Sequence, residues 1–379
     1  MFHLSGTTWA HTRAIAPLAA ASQWFADAGG NLSVSWSTHS ARQFGEGPIA
    51  ALIDQFDLIC FDHPHVGHVA KDGLFIPADE FLSRAELQDR RHASAGRSFE
   101  SYQYEGKQWG IPVDAACTMS ALSPSKIDAL RIDLPRNLED VLRLAADRPG
   151  IVLQPFSRMT TTALFFSICV SLSNSGPQRL HTHTFGDSLE MLQRLFSATH
   201  AGYGVKLGSI EAMQLLMTES SSVSYVPFTY PYSCFSRTDL LPNALKFGSH
   251  PSLAAARPWH GILGGAGIAV SAKSAAPLQA FELLRWLTST ECQTVFFGAC
   301  LGQPADRFAW SACSVDALTR GFFSNGLPLM DCAWLRPTDL AFGSIQSQLA
   351  DELHRYLAGA CGHDQTRQTV AKLLERYVQ

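Results

Sequence analysis

Residues 3–9 read as a strand ending at Trp9, and the chain then changes period. Ile15, Leu18, Ser22 and Phe25 recur at helical spacing over residues 12–28, with Gly29-Gly30 as a stop. Leu32, Val34 and Trp36 alternate as a strand does. Pro48 opens a short helix through Phe56, and DLICF at 57–61 is a continuous apolar run of the kind found inside a parallel sheet. Strand, helix, strand, helix, strand is the order of an α/β region with parallel strands.

Further along, Tyr102 to Pro112 reads as a hairpin around Glu105-Gly106, and Asn137 to Ala146 as an amphipathic helix. GIVLQP at 150–155 reads as a strand and Thr161 to Leu172 as a buried helix. Phe185, Leu189, Leu192 and Phe196 make a helical stripe, and Val223 to Phe228 is a strand entering the aromatic loop TYPYSCFSR. ILGGAGIAVS at 262–271 is a glycine-broken strand. Ala276 to Leu287 is a helix with Leu278, Phe281 and Leu284 inward, and Thr288-x-x-Glu291 is a capping box for the next one. Val370, Leu373, Leu374 and Tyr377 share a face of the last helix.

Composition narrows the class. Hydrophobic residues make up 46% and charged residues 16% of 379, which excludes a disordered chain and a charged coiled coil. The net charge of −4 and the lack of a basic stripe argue against nucleic acid as a partner. No window approaches the ~18 consecutive apolar residues of a membrane span. Nine cysteines at irregular spacing, with no C-x-x-C, exclude zinc-ribbon and thioredoxin patterns. Free thiols fit a reducing compartment. MFHLSGTTW has neither the basic region nor the apolar core of a secretory signal, which points the same way.

Four segments resemble one family. YEGKQWGIPVDA (104–115), LPRNLEDVLRLA (134–145), LGGAGIAVSAKSAAPLQAFELLRWLTSTECQ (263–293) and GQPADR (302–307) follow the order and spacing of the carbohydrate-type extracellular solute-binding proteins of ABC importers. The resemblance implies an α/β, two-lobed type II periplasmic-binding-protein-like fold, with a central cleft and short hinge crossings. The lobes are expected at 1–114 plus 263–305, and at 115–262 plus 306–379. Ala266 departs from the pattern, since the family usually carries Trp there. Family membership implies the periplasm, in tension with the N-terminus and the thiols, which suit the cytoplasm.

On this topology the strand ends supply candidate ligand contacts. Trp9, His11 and Arg13 follow the first strand, and His63 and His65 the third. Asp114 lies on the crossing strand. Gln154, Tyr230, Tyr232 and Ser233 would line the second lobe, and Gly264 and Gly265 allow close backbone approach. His63, His65 and His68 also spell H-x-H-x-x-H, yet spacing supplies no partner carboxylate except Asp62, so no metal is expected. No cofactor is expected either, because LGGAG lacks the full dinucleotide-binding glycine pattern. Cys117 is the alternative catalytic residue, since a thiamin-degrading enzyme family on the same fold uses a cleft cysteine as nucleophile.

The function implied is the substrate-binding component of an ABC importer. It would capture a small polar solute, a sugar derivative or an organic acid, and present it as a monomer to the permease subunits without chemistry of its own. The alternatives are a cytoplasmic Cys-dependent enzyme and a cytoplasmic metabolite-binding or sensing protein.

Overall fold

The computed structural model describes residues 2–173, 180–200, 202–254 and 258–378. Its strands, in chain order, are β1 (Phe2–Trp9), β2 (Leu32–His39), β3 (Leu58–Phe61), β4 (Phe75–Ile76), β5 (Gln103–Tyr104), β6 (Lys107–Gln108), β7 (Ile111–Cys117), β8 (Met119–Leu122), β9 (Tyr225–Thr229), β10 (Lys246–Gly248) and β11 (Leu263–Ser271). The chain forms two units. The first comprises Met1–Ala116, Leu263–Ala317 and Arg336–Gly343; the second comprises Cys117–Ile262, Leu318–Leu335 and Ser344–Gln379.

The first unit is built on a sheet ordered β2-β1-β3-β11-β4, with β7 also paired to β11. β1, β2 and β3 are parallel, in register from Phe2 against Leu32 to Trp9 against His39, as the strand–helix alternation predicts. All four residues of β3 are buried, which is why its sequence is uniformly apolar. β11 enters from far along the chain and runs antiparallel to β3, Gly267 facing Phe61. β5 and β6 form the expected hairpin, with positive φ at Glu105 (48°) and Gly106 (77°), as a two-residue type I′ turn requires.

The helix Thr12–Asp27 buries Arg13, Ala14, Pro17, Leu18, Ala21 and Ser22. That face is rotated from the predicted stripe, and Ile15 and Phe25 are only half-buried. The helix Pro277–Leu287 buries Ala280, Phe281, Leu283, Leu284 and Leu287. Leu278, expected inward, lies on the opposite side and is 67% exposed. The predicted capping box at Thr288 does not form, and a simple cap one residue later takes its place. Ser289 caps, its Oγ accepting from Cys292 N at 3.1 Å, while Thr288 Oγ1 donates to Leu284 O at 2.8 Å and closes the preceding helix. The predicted helix from Pro48 shrinks to a 3₁₀ turn, Ile49–Ala51.

The second unit has an antiparallel sheet ordered β10-β8-β9. Residues 150–155 do not form the predicted strand; Val152 makes one parallel bridge to Tyr225, and Pro155 has no N–H to extend it. The helix Arg158–Leu172 buries every residue from Thr160 to Ser171, so it is packed on all sides. The helix Phe185–Thr199 packs on it, with Phe165 and Phe185 5.9 Å apart. Asn137 caps the helix Leu138–Asp147, accepting from Asp140 N at 2.9 Å. Among the described residues no helix is long and apolar enough to cross a membrane.

The contrast along Pro277–Leu287 is testable by urea denaturation. Phe281→Ala should cost about 3–5 kcal/mol, because it empties a fully buried position. Leu278→Ala should stay within about 0.5 kcal/mol of the parent.

Candidate functional site

In the first unit the chain leaves β1 at Trp9 and enters a helix at once. His11 caps that helix, its Nδ1 accepting from Arg13 N at 3.1 Å. Burial, reinforced by Arg13, lowers the His11 pKa to about 4. Trp9 is 6% exposed and forms a small apolar cluster with Ala14 and Ala266, Phe44 lying 4.8 Å away ring to ring. The indole expected to offer an open stacking face is therefore covered by protein, partly by the residue that replaces the family's tryptophan.

Arg13 and Asp114, each expected to meet a ligand, meet each other. Nε donates to Oδ2 at 2.9 Å and Nη2 to Oδ1 at 2.6 Å, with both residues buried. This bidentate pairing is the strongest geometry open to arginine. Burial pushes the Asp114 carboxyl up, and the Arg13 guanidinium acts against that rise. Gly265 has φ 129°, and a Cβ there would lie 2.3 Å from Asp114 O. The close approach read from the glycines is thus that of β11 to β7, at the residue that binds Arg13. Gly264 is buried in the same strand.

At the end of β3, Asp62 Oδ1 accepts from His63 N at 2.9 Å. Arg336 Nη2 donates to both carboxylate oxygens, at 2.8 and 3.0 Å. Burial alone would raise the Asp62 pKa, but Arg336 and the neighbouring His63 hold it well below the usual carboxylate range. His63 Nδ1 lies 3.2 Å from Asp62 Oδ1. An ionised carboxylate can only accept, so the ring proton is on Nδ1 and Nε2 is left as an acceptor. Nε2 is buried and has no hydrogen-bond partner among the described residues. Burial and Arg336 lower the His63 pKa to about 4. His65 Nε2 bonds Gly45 O at 3.1 Å, and His68 is exposed. The three histidines of H-x-H-x-x-H thus diverge, and no His, Cys, Asp or Glu cluster among the described residues is placed to hold a metal ion.

Arg336 escaped the sequence reading. The available signal was an arginine isolated in an apolar run, Ala333-Trp334-Leu335-Arg336-Pro337, where a charge needs a buried partner. The first unit also holds a cavity of about 190 Å³ bordered by Arg90, Thr288, Gln293 and Asp306. These groups are already engaged: Arg90 Nε on Thr288 Oγ1 at 3.0 Å, and Asp306 N on Gln293 Oε1 at 2.9 Å.

In the second unit Gln154 is buried, its Nε2 donating to Pro155 O at 3.1 Å and Phe228 O at 2.9 Å. That bond ties it to the end of β9. Its Oε1, and Thr229 Oγ1 at the last residue of β9, are buried without a hydrogen-bond partner among the described residues. Tyr230 follows, its N donating to Ser209 Oγ at 3.2 Å. Tyr232 is half-buried, edge-on to Phe235 at 6.3 Å, and Ser233 is buried. The sequence reading also missed an aromatic stack beside them. Phe228 lies 4.9 Å from His250 and 5.7 Å from Trp259, nearly parallel to both; His250 has no periodic neighbour that would mark it.

Cys117 is buried, and burial drives its thiol well above the ordinary range, with Cys332 adding to the rise. A nucleophilic cysteine needs the opposite, a positive field that lowers it.

No family model matches the chain, and no curated protein matches it in sequence. Solved structures match it in fold over nearly its whole length. The GacH receptor of Streptomyces glaucescens, solved unliganded and with acarbose, is 14% identical, with 99% of each chain covered and a TM-score of 0.78. An ABC transporter solute-binding protein from Thermotoga lettingae, bound with α-D-tagatose, is 14% identical, with 99% of this chain and 100% of that one covered and a TM-score of 0.80. Maltose-bound MalE3 of T. maritima is 13% identical, with 99% of each chain covered and a TM-score of 0.80. The chain therefore has the α/β fold of the maltose-binding-like solute-binding proteins, as its sequence led one to expect.

Two outcomes follow from this geometry. Arg13→Met leaves the Asp114 carboxylate buried without its partner and should cost about 3–5 kcal/mol in urea denaturation, most of it regained when Asp114→Leu is added. Stability should also fall as pH drops from 6.5 towards 4. His63 is held neutral in the fold at pH values where an unfolded chain already binds the proton. Its share is at most roughly 1.4 kcal/mol per pH unit, and denaturation at pH 7.5, 5.5 and 4.5 should show a shallower slope in His63→Gln.

Proposed function

We propose that this protein is the substrate-binding component of an ABC importer, capturing a small polar solute outside the cytoplasm and delivering it to the permease subunits. The observation that carries the reading is that, of the buried polar atoms without a hydrogen-bond partner among the described residues, three lie at or beside the ends of β3 and β9. His63 Nε2 lies just beyond β3, Gln154 Oε1 beside the end of β9, and Thr229 Oγ1 at the last residue of β9. A buried polar atom without a partner costs about 1–3 kcal/mol, and a hydroxylated ligand or its ordered water can recover it. Two of the three are acceptors that call for an O–H or N–H donor. The aromatic and hydroxyl groups of Tyr230, Tyr232 and Ser233 complete such a surface on the second unit, matching rings and hydroxyls of a sugar-like molecule. The fold adds support, because solved proteins that share it hold tagatose, D-mannitol and ribitol.

The reading assigns no chemistry to the protein. Cys117, at the expected nucleophile position, is buried, which pushes its thiol up and away from the reactive thiolate. Arg13, Asp114 and Trp9 act through the shape of the first unit rather than by touching the solute, since each is already engaged by protein.

The test is a thermal shift against maltose, acarbose, D-tagatose, D-mannitol, ribitol, D-gluconate and thiamin, with each mixture recovered and weighed by mass spectrometry. A solute at 100 times its Kd adds about 2.7 kcal/mol, enough to raise Tm by a few degrees. We expect a shift with one polyhydroxy compound, recovered intact, and the same shift in Cys117→Ser. A compound consumed by the parent and spared by Cys117→Ser would make the protein an enzyme and end this reading.

A further inference from the structure

The helix Pro124–Leu130 carries Lys126 in its first turn. Its ammonium lies 2.8 Å from Thr218 O, 2.9 Å from Ser221 O and from Val223 O, and 3.3 Å from Leu215 O. Three N–H donors thus serve four carbonyls. Among the described residues these four carbonyls are its hydrogen-bond partners, and the side chain is partly exposed.

Those carbonyls are not a random set. Leu215 lies in the last turn of the helix Ser209–Met217 and Thr218 just beyond it. The final carbonyls of a helix lack partners within it and form its negative end, where a cation is favoured. Ser221 and Val223 belong to the turn that feeds β9. The opposite end of the same helix is tied elsewhere: Ser209, its first residue, accepts the Tyr230 N–H at 3.2 Å. One short helix therefore has its C-terminus gripped by Lys126 and its N-terminus bonded to the loop that follows β9. The turn into β9 is gripped by the same ammonium, so the loop is constrained from both directions.

We propose that Lys126 is a positioning residue for the solute-contacting loop Tyr230–Ser233, acting through the helix Ser209–Met217 and the turn into β9. The proposal rests on the reading of that loop as part of the solute site. Lys126 need not touch the solute. Removing its ammonium takes a donor from four carbonyls, of which Thr218 O keeps the Ser221 N–H at 3.1 Å, frees the helix end and lets Ser209 shift against Tyr230.

The experiment compares the full chain with Lys126→Met and Lys126→Arg by two readouts. One is residue-resolved hydrogen exchange; the other is calorimetric titration with whichever of maltose, D-tagatose, D-mannitol and ribitol the parent binds. In Lys126→Met, exchange should accelerate about tenfold or more at the Tyr230 amide as well as across residues 218–224, and Kd should rise about tenfold. Lys126→Arg keeps a cation at the helix end and should fall between the two. Faster exchange confined to residues 218–224, with Tyr230 and Kd unchanged, would reduce Lys126 to a local clasp and overturn the proposal. If Lys126→Met does not fold, Lys126→Arg against the parent gives the same two readouts, and a parent-like Kd with a parent-like Tyr230 amide overturns it equally. A parent that binds none of the four sugars counts against the solute-binding reading, while exchange at Tyr230 still decides whether Lys126 holds that residue.

Discussion

The bond between Arg13 and Asp114 organises the first unit. It joins the first turn of the helix after β1 to β7, a strand 101 residues away in sequence. An arginine so deeply buried is tolerable only with its charge matched and its donors used. That requirement fixes the rotation of the helix, and it explains why the buried face begins at Arg13 rather than at the apolar Ile15. It also explains the glycine on β11. β7 comes close enough to β11 at Asp114 that Gly265 can carry no side chain. The ion pair, the helix rotation and the glycine are one constraint seen from three elements.

A second pair repeats the logic. Asp62 ends β3, caps the turn that follows and is held by Arg336 from a segment near the far end of the chain. In both cases a carboxylate, one within β7 and one just past β3, is paired with an arginine from outside its own strand. The difference is what remains unused. Arg13 and Asp114 consume each other, whereas the Asp62–Arg336 pair leaves His63 neutral with one bare ring nitrogen. Polar groups of the first kind build a wall; those of the second kind can meet a ligand.

How much of this was legible in the sequence depends on the range of the interaction. The parallel strands β1 to β3, the Glu105-Gly106 hairpin and the buried helix Arg158–Leu172 follow from local period and turn chemistry, and they were readable. Leu278 was misplaced because three apolar residues at helical spacing define a stripe only if the helix begins where assumed; Ala280, Leu283 and Leu287 outvote it. The cap fell to Ser289, without the reciprocal glutamate bond, because the end of the preceding helix claims Thr288 first. For the candidate site, strand-end position singled out Arg13 and His63, and the crossing strand Asp114. Position could not show that Arg13 and Asp114 would bind each other. Arg336 carried a signal, a charge in an apolar run, but its partner lies far off in sequence, and the partners of Lys126 are backbone carbonyls, which carry no sequence signature.

The cysteines make the last step of the argument. Compartment arguments treat nine thiols as a statement about redox environment, but burial supplies a simpler account for most of them. Cys60, Cys117, Cys169, Cys292 and Cys361 are buried, and for the first four desolvation drives the thiol up, away from the thiolate that reacts. In those positions cysteine is a small apolar side chain that fills space beside larger neighbours. The other four, Cys234, Cys300, Cys313 and Cys332, are partly or wholly exposed, so burial does not explain them.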